Sequence, residues 1–98
     1  MKEQQKLDVN LTDDVAQGVY SNLAIITHSN AEFILDFVAM MPGIPKANVR
    51  SRVVMTPQNT KRFLNALAEN IKKYEEVNGI IKETAFEIPI IGNNGALA

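Results

Sequence analysis

Between Gly18 and Met41 the chain runs through two apolar segments, Val19 to His28 and Ala31 to Met41, separated only by Ser29-Asn30. Both are rich in β-branched, aromatic and aliphatic residues, the side chains that suit a pleated, half-buried surface. Asn tolerates the positive φ of a tight two-residue turn, so the stretch predicts a β-hairpin turning at Ser29-Asn30. That register sets Ile26 opposite Phe33, Ala24 opposite Leu35, Asn22 opposite Phe37 and Tyr20 opposite Ala39 on one side. Val19, Ser21, Leu23, Ile25, Ile34, Asp36, Val38 and Met40 fall on the other. Both sides are largely apolar, whereas an antiparallel ribbon ordinarily keeps one side wet. The fold must therefore shelter two faces of a single ribbon.

Pro42-Gly43-Ile44-Pro45-Lys46 reads as a loop, because proline fixes φ and a second proline blocks extension of the preceding strand. A third strand, Ala47 to Met55, follows. If Met41 meets Ala47 in antiparallel pairing, Val49, Ser51, Val53 and Met55 join the face of Phe33, Leu35 and Phe37. Asn48, Arg50, Arg52 and Val54 join the face of Asp36, and Arg52 lands opposite Asp36. A slip of two residues would keep the faces and break that pair.

Thr56-Pro57 is a helix-start signal: a threonine oxygen for an orphan N–H, then a proline preorganised for the first helical position. Thr60, Phe63, Leu64, Leu67, Ile71 and Tyr74 recur at three- and four-residue spacing, with Lys61, Arg62, Asn65, Glu69, Lys72, Lys73 and Glu76 on the opposite face. Glu69 and Lys73 stand at i,i+4, a spacing expected to add an ion pair. Asn78-Gly79 supplies the stop, giving a helix over Pro57–Asn78. At the amino terminus Leu7, Val9 and Leu11 alternate with polar residues and predict a short half-buried strand, ended by a turn at Thr12-Asp13-Asp14. In the tail, Phe86, Ile88 and Ile90 alternate, but Pro89 restricts them to a sheet edge or to no sheet. Ile80 to Ala98 is too apolar to stand in water and is expected to dock on its own domain or on a partner.

Composition narrows the function. At 98 residues the chain is expected to be one domain, with its core at about 7–79. Ten Lys+Arg against 11 Asp+Glu give a net charge of −1, so no global field draws it to nucleic acid or anionic lipid. No cysteine is present and there is one histidine, which excludes disulfides, thiolate nucleophiles and imidazole clusters. The five glycines are scattered, and no phosphate-cradling loop forms. The polar start, Met1 to Asn10, lacks the apolar run of a signal peptide, and no apolar stretch approaches the ~18–20 residues of a membrane span. A cytoplasmic protein without membrane contact is expected.

Gly18-Val19-Tyr20-Ser21-Asn22, Ala31-Glu32-Phe33-Ile34-Leu35-Asp36-Phe37, Pro42-Gly43, Arg52-Val53-Val54-Met55-Thr56-Pro57 and the helix ending at Lys73-Tyr74-Glu75 form a linked pattern. It resembles a family of small prokaryotic proteins known as a domain of unknown function, over roughly Leu7 to Gly79. The resemblance implies no activity, cofactor or catalytic residue. In architecture, strands followed by a long carboxy-terminal helix are similar to the bacterial secretion chaperone of the SecB type. The same order is similar to small single-stranded-DNA-binding transcription cofactors.

The candidate residues each have two readings. Asp36 and Arg52 are either a polar pair at a binding site or a cross-strand ion pair that offsets the desolvation of each partner. His28 stands beside the turn as a solvated residue, with no second imidazole or nucleophile to act with. Asn22, among apolar neighbours, either bonds backbone near Gly18 or holds a ligand's polar group together with Tyr20. Lys46, Arg50, Arg52, Lys61 and Arg62 are ordinary surface charge or a local basic patch.

The fold expected is α+β: a three- to four-stranded antiparallel meander with the Pro57–Asn78 helix packed on one face. Phe63, Leu67, Ile71 and Tyr74 would lie over Phe33, Leu35, Phe37, Val49 and Val53. One helix cannot cover both faces, so a homo-oligomer is expected, most simply a dimer. The candidate interaction face is Leu23, Ile25, Ile34, Asp36, Val38, Arg50 and Arg52. No enzyme activity, cofactor or metal is expected. The function expected is a protein- or peptide-binding module, chaperone-like in character. The alternative is a nucleic-acid-binding module using Arg50 and Arg52.

Overall fold

The structure is a computed structural model, and it describes residues 6–83 and 96–97. Three main strands, β1 (Leu23–His28), β2 (Phe33–Ala39) and β3 (Asn48–Met55), follow a single helical turn, α1 (Asp13–Ala16). The long helix α2 (Pro57–Asn78) and a two-residue strand, β4 (Ala96–Leu97), complete the order. The sheet is antiparallel in the order β3-β2-β1-β4, which puts β2 at the centre and β3 at an outer edge. This is the α+β meander with a carboxy-terminal helix that the strand and helix patterns predict.

The hairpin keeps its expected faces in a different register. Leu23 pairs with Val38, Ala24 with Phe37, Ile26 with Leu35 and His28 with Phe33, two residues away from the pairing that a Ser29-Asn30 turn would impose. The tip is instead centred on Asn30-Ala31. Ser29 N–H donates to Glu32 O, and Ser29 Oγ accepts from the N–H groups of Ala31 and Glu32. The serine hydroxyl closes the turn, so Asn30 needs no positive φ, and only glycines take one among the described residues. Because side chains alternate with period two, the shift of two leaves every residue on its predicted side.

β2 and β3 pair as expected from Phe33↔Met55 to Phe37↔Ser51, and Asp36 faces Arg52. Beyond Phe37 the register breaks: Val38 pairs with Val49, which leaves Arg50 as the extra residue of a β-bulge. The bulge moves Val49 off the Phe33/Leu35/Phe37 face and onto that of Val38. It also takes Arg50 out of the alternation that would have placed it beside Asp36. The preceding loop turns at Met41–Ile44, with Ile44 N–H donating to Met41 O and Gly43 at φ 77°. Proline followed by a positive-φ glycine is the signature of a type II turn.

The strand expected at Leu7–Leu11 does not form. Leu7, Val9 and Leu11 are exposed and pair with no strand among the described residues, and Asp13–Ala16 make a helical turn where a plain turn is expected. Acidic side chains at a helix start suit its positive end, and Ala16 N–H closes the turn on Thr12 O. Val19 and Tyr20 also lie outside β1 and are exposed.

α2 starts and stops as its sequence signals predict. Thr56 Oγ1 accepts from Asn59 N–H at 3.1 Å, Pro57 occupies the first turn, and Gly79 leaves at φ 88° with its N–H on Glu75 O. No residue of α2 is buried. Its first half approaches the Ile26/Phe33/Leu35 side of the sheet, and Leu35 beneath it is only 3% exposed. The expected cover of Val49 and Val53 is not achieved, Phe37 is half-buried, and Ile81 lies beside Ile71 and Tyr74. A 22-residue helix is roughly 33 Å long, whereas strands of six to eight residues span about 20–27 Å, so the helix overhangs. No helix of the described residues is long and apolar enough to cross a membrane. The expected docking of the tail lies outside the described residues between 84 and 95; Ala96 and Leu97 pair with Ile26 and Ile25.

Candidate functional site

On one face of the sheet the structure brings together Leu23, Ile25, Ile34, Asp36, Val38 and Arg52, six of the seven residues of the expected interaction face. Leu23, Asp36 and Val38 are buried, Ile25 and Ile34 half-buried. Arg50, the seventh, sits in the bulge. Its neighbours there are Tyr20, Asn22, Met40, Met41 and Pro42, around an open recess of about 480 Å³.

Asp36 and Arg52 meet as a fork. Arg52 Nε donates to Oδ1 at 2.6 Å and Nη2 to Oδ2 at 2.9 Å. Hydrogen bonds from Arg52, reinforced by its charge, hold the Asp36 carboxyl below its ordinary range against the opposing pull of burial. The same contact raises the guanidinium. Asp36 is buried while the Arg52 side chain is 61% exposed, so the arginine reaches over the face from its rim. Two of the three guanidinium nitrogens are spent on this carboxylate. Among the described residues that leaves Arg50 as the sheet cation without a carboxylate partner, a poor basis for a basic groove.

Asn22 takes the backbone-bonding role. Its Nδ2 donates to Met40 O at 2.9 Å and its Oδ1 accepts Met40 N–H at 2.8 Å, while its own N–H donates to Val38 O. The side-chain amide thus imitates one more residue of β1. Ser21 Oγ lies 2.9 Å from Leu23 O and 3.1 Å from Val38 O, sharing one hydroxyl proton between them. Together the two side chains end the strand where Tyr20 leaves it. His28 stacks on its cross-strand partner Phe33, with ring centroids 5.2 Å apart.

The exposed apolar surface lies on the other side. Ile26, Phe33 and Leu35 from the sheet and Pro57, Thr60, Lys61, Phe63, Leu64 and Leu67 from α2 line an open cleft of about 610 Å³ that is almost wholly apolar. Past it, Ile71, Tyr74 and Val77 continue the helix stripe at 40%, 54% and 83% exposure. Of these helix side chains, Phe63, Leu67, Ile71 and Tyr74 are the ones expected to lie over the sheet, and Lys61 was expected on the opposite face. The missed signal was spacing: Thr60, Leu64, Leu67, Ile71, Tyr74 and Asn78 alternate steps of four and three without a break, the repeat of a helix that packs on another helix. Among the described residues no three His, Cys, Asp or Glu side chains come together as a metal-holding group.

These features define a small α+β protein of antiparallel sheet and one long, half-covered helix. The chain belongs to the family described as "Protein of unknown function (DUF3467)", which it matches over residues 1–83. The match takes in the Leu7–Gly79 pattern and extends past both its ends. Comparison with curated proteins and with solved structures gives no match, and the expected likeness to SecB-type chaperones is not supported.

Proposed function

We propose that the chain is a non-enzymatic, cytoplasmic interaction module that works as a homo-oligomer and binds an extended protein or peptide segment. The observation that carries this reading is the apolar surface a single copy leaves open. The cleft between α2 and the sheet, the stripe beyond it, and Val53 on the same face of β3 are exposed, and among the described residues no side chain is fully enclosed. Monomeric proteins rarely present so continuous an apolar surface. The cleft and stripe serve self-association, and the extended segment is taken by β3, an eight-residue outer strand whose edge, unpaired among the described residues, can accept one more strand by main-chain hydrogen bonds.

The test pits a panel of extended apolar peptides against single-stranded oligonucleotides, read by fluorescence anisotropy at low and high salt. The account predicts peptide binding that changes little with salt, since burial of apolar surface and main-chain pairing release few counterions. Binding confined to oligonucleotides, and falling steeply as salt rises, would instead establish the reading based on Arg50 and Arg52.

A further inference from the structure

We infer that the occupant of the α2 cleft is α2 of a second copy, lying antiparallel across a two-fold axis near Ala68 and Asn70. This rests on the reading of the chain as a self-associating module and supplies its interface. The stripe Thr60, Leu64, Leu67, Ile71, Tyr74 and Asn78 is self-complementary when reversed. Leu64 then meets Tyr74 of the second copy, Leu67 meets Ile71, and Thr60 meets Asn78, which sets apolar layers at the centre and polar layers at both ends. On one flank Phe63 reaches Val77 and Asn70 meets Asn70. On the other, Ala68 meets Ala68 on the axis, where a small side chain permits close approach, and Lys61 meets Glu75. Each charged contact occurs twice, as an isologous interface requires.

The same arrangement joins two surfaces that one copy leaves unused. The half of α2 that overhangs its own sheet, Ile71, Tyr74 and Val77, falls on the partner's half that borders the open cleft, where Phe63, Leu64 and Leu67 stand exposed beside Ile26 and Phe33. A parallel pair would set overhang against overhang and leave both clefts open. It would also place Glu75 beside Asn70 and give Lys61 no acidic neighbour. Lys61 sits at the cleft rim, and among the described residues the Asp36–Arg52 pair is the one ion pair, so Lys61 is available. Glu75 is half-buried and receives Ile81 N–H on Oε2 at 2.9 Å, which fixes the carboxylate and leaves Oε1 to accept. The six apolar side chains from Phe63 to Val77 leave on the order of 600 Å² exposed per copy, so two copies reach about the 1,200 Å² at which stable interfaces begin.

Charge exchange in the full chain tests the register. Sedimentation velocity should show a dimer for the wild type. Lys61→Glu and Glu75→Lys should each weaken it roughly tenfold, since each creates two like-charge contacts, and the double variant K61E/E75K should return to within about threefold of wild type. Ile71→Asp should give a monomer. A wild-type dimer that the double variant fails to rescue would overturn the α2 pairing and leave self-association standing. A wild-type monomer would overturn both, including the case in which α2 resists hydrogen exchange because the chain's own tail covers it.

Discussion

Arg52 holds Asp36 by two parallel hydrogen bonds from the rim of a face on which the carboxylate is buried and the guanidinium is not. The asymmetry decides what each half of the pair is worth. Removing Asp36 returns an exposed cation to water at little cost, whereas removing Arg52 strands a carboxylate among Leu23, Ile25 and Val38.

Thermal melts of the single and double alanine variants therefore have an expected order. R52A should lower Tm by about 5–10 °C, D36A by less, and the double variant by less than the sum of the two. Additive losses would mean that the two side chains do not act as a pair.

The pair also gives stability a pH dependence of defined sign. Because the folded pKa of Asp36 is depressed, the unfolded chain binds its proton first on acidification. The contribution is complete above the ordinary carboxylate range and declines below about pH 4, vanishing as pH passes through the depressed folded value. Asp14, lowered chiefly by a side-chain hydrogen bond from Thr12, titrates in the same direction. The difference between wild type and D36N isolates Asp36: Tm plotted against pH should fall less steeply on the acid side for D36N. Parallel curves would remove Asp36 from the account.

Asn22 needs both ends of its amide. N22D can accept from Met40 N–H but sets a carboxylate against Met40 O, and N22A loses both bonds, so each should lower Tm by about 4–8 °C. N22D should be the worse of the two at neutral pH and recover part of the loss in acid, where a protonated carboxyl can donate. Equal, pH-independent losses would contradict the strand-imitating role.

The cap of α2 is a threonine with its proline. T56A should cost about 1 kcal/mol in chemical denaturation, and T56S should restore most of it, because the hydroxyl on Asn59 N–H is what matters.

How much of this was legible in the sequence depends on the range of the interaction concerned. Thr56-Pro57 and Asn78-Gly79 bound α2 through their own local chemistry, and the alternation from Leu23 to Val38 assigns the two faces under any even shift of register. Alternation put Asp36 and Arg52 on one face, but their direct opposition rested on the assumed meeting of Met41 with Ala47, which a slip of two residues would have undone. The bulge at Arg50 was hidden, since nothing in Asn48-Val49-Arg50-Ser51 distinguishes a skipped residue from a paired one. The hairpin tip was misplaced because Ser29 Oγ closes the turn through a contact that composition does not encode. Leu7, Val9 and Leu11 have strand periodicity but, among the described residues, no strand beside them to pair with. The stripe of α2 was visible as periodicity, while its lack of cover depends on the length of the helix against the length of the strands beneath it.

If one copy of this chain is an incomplete fold, as proposed, the mass of the wild-type protein in solution will show it. Sedimentation equilibrium from about 1 to 100 μM should return twice the mass of one chain, with dissociation on dilution coupled to loss of structure. A stable, fully folded species of single-chain mass across that whole range would contradict it.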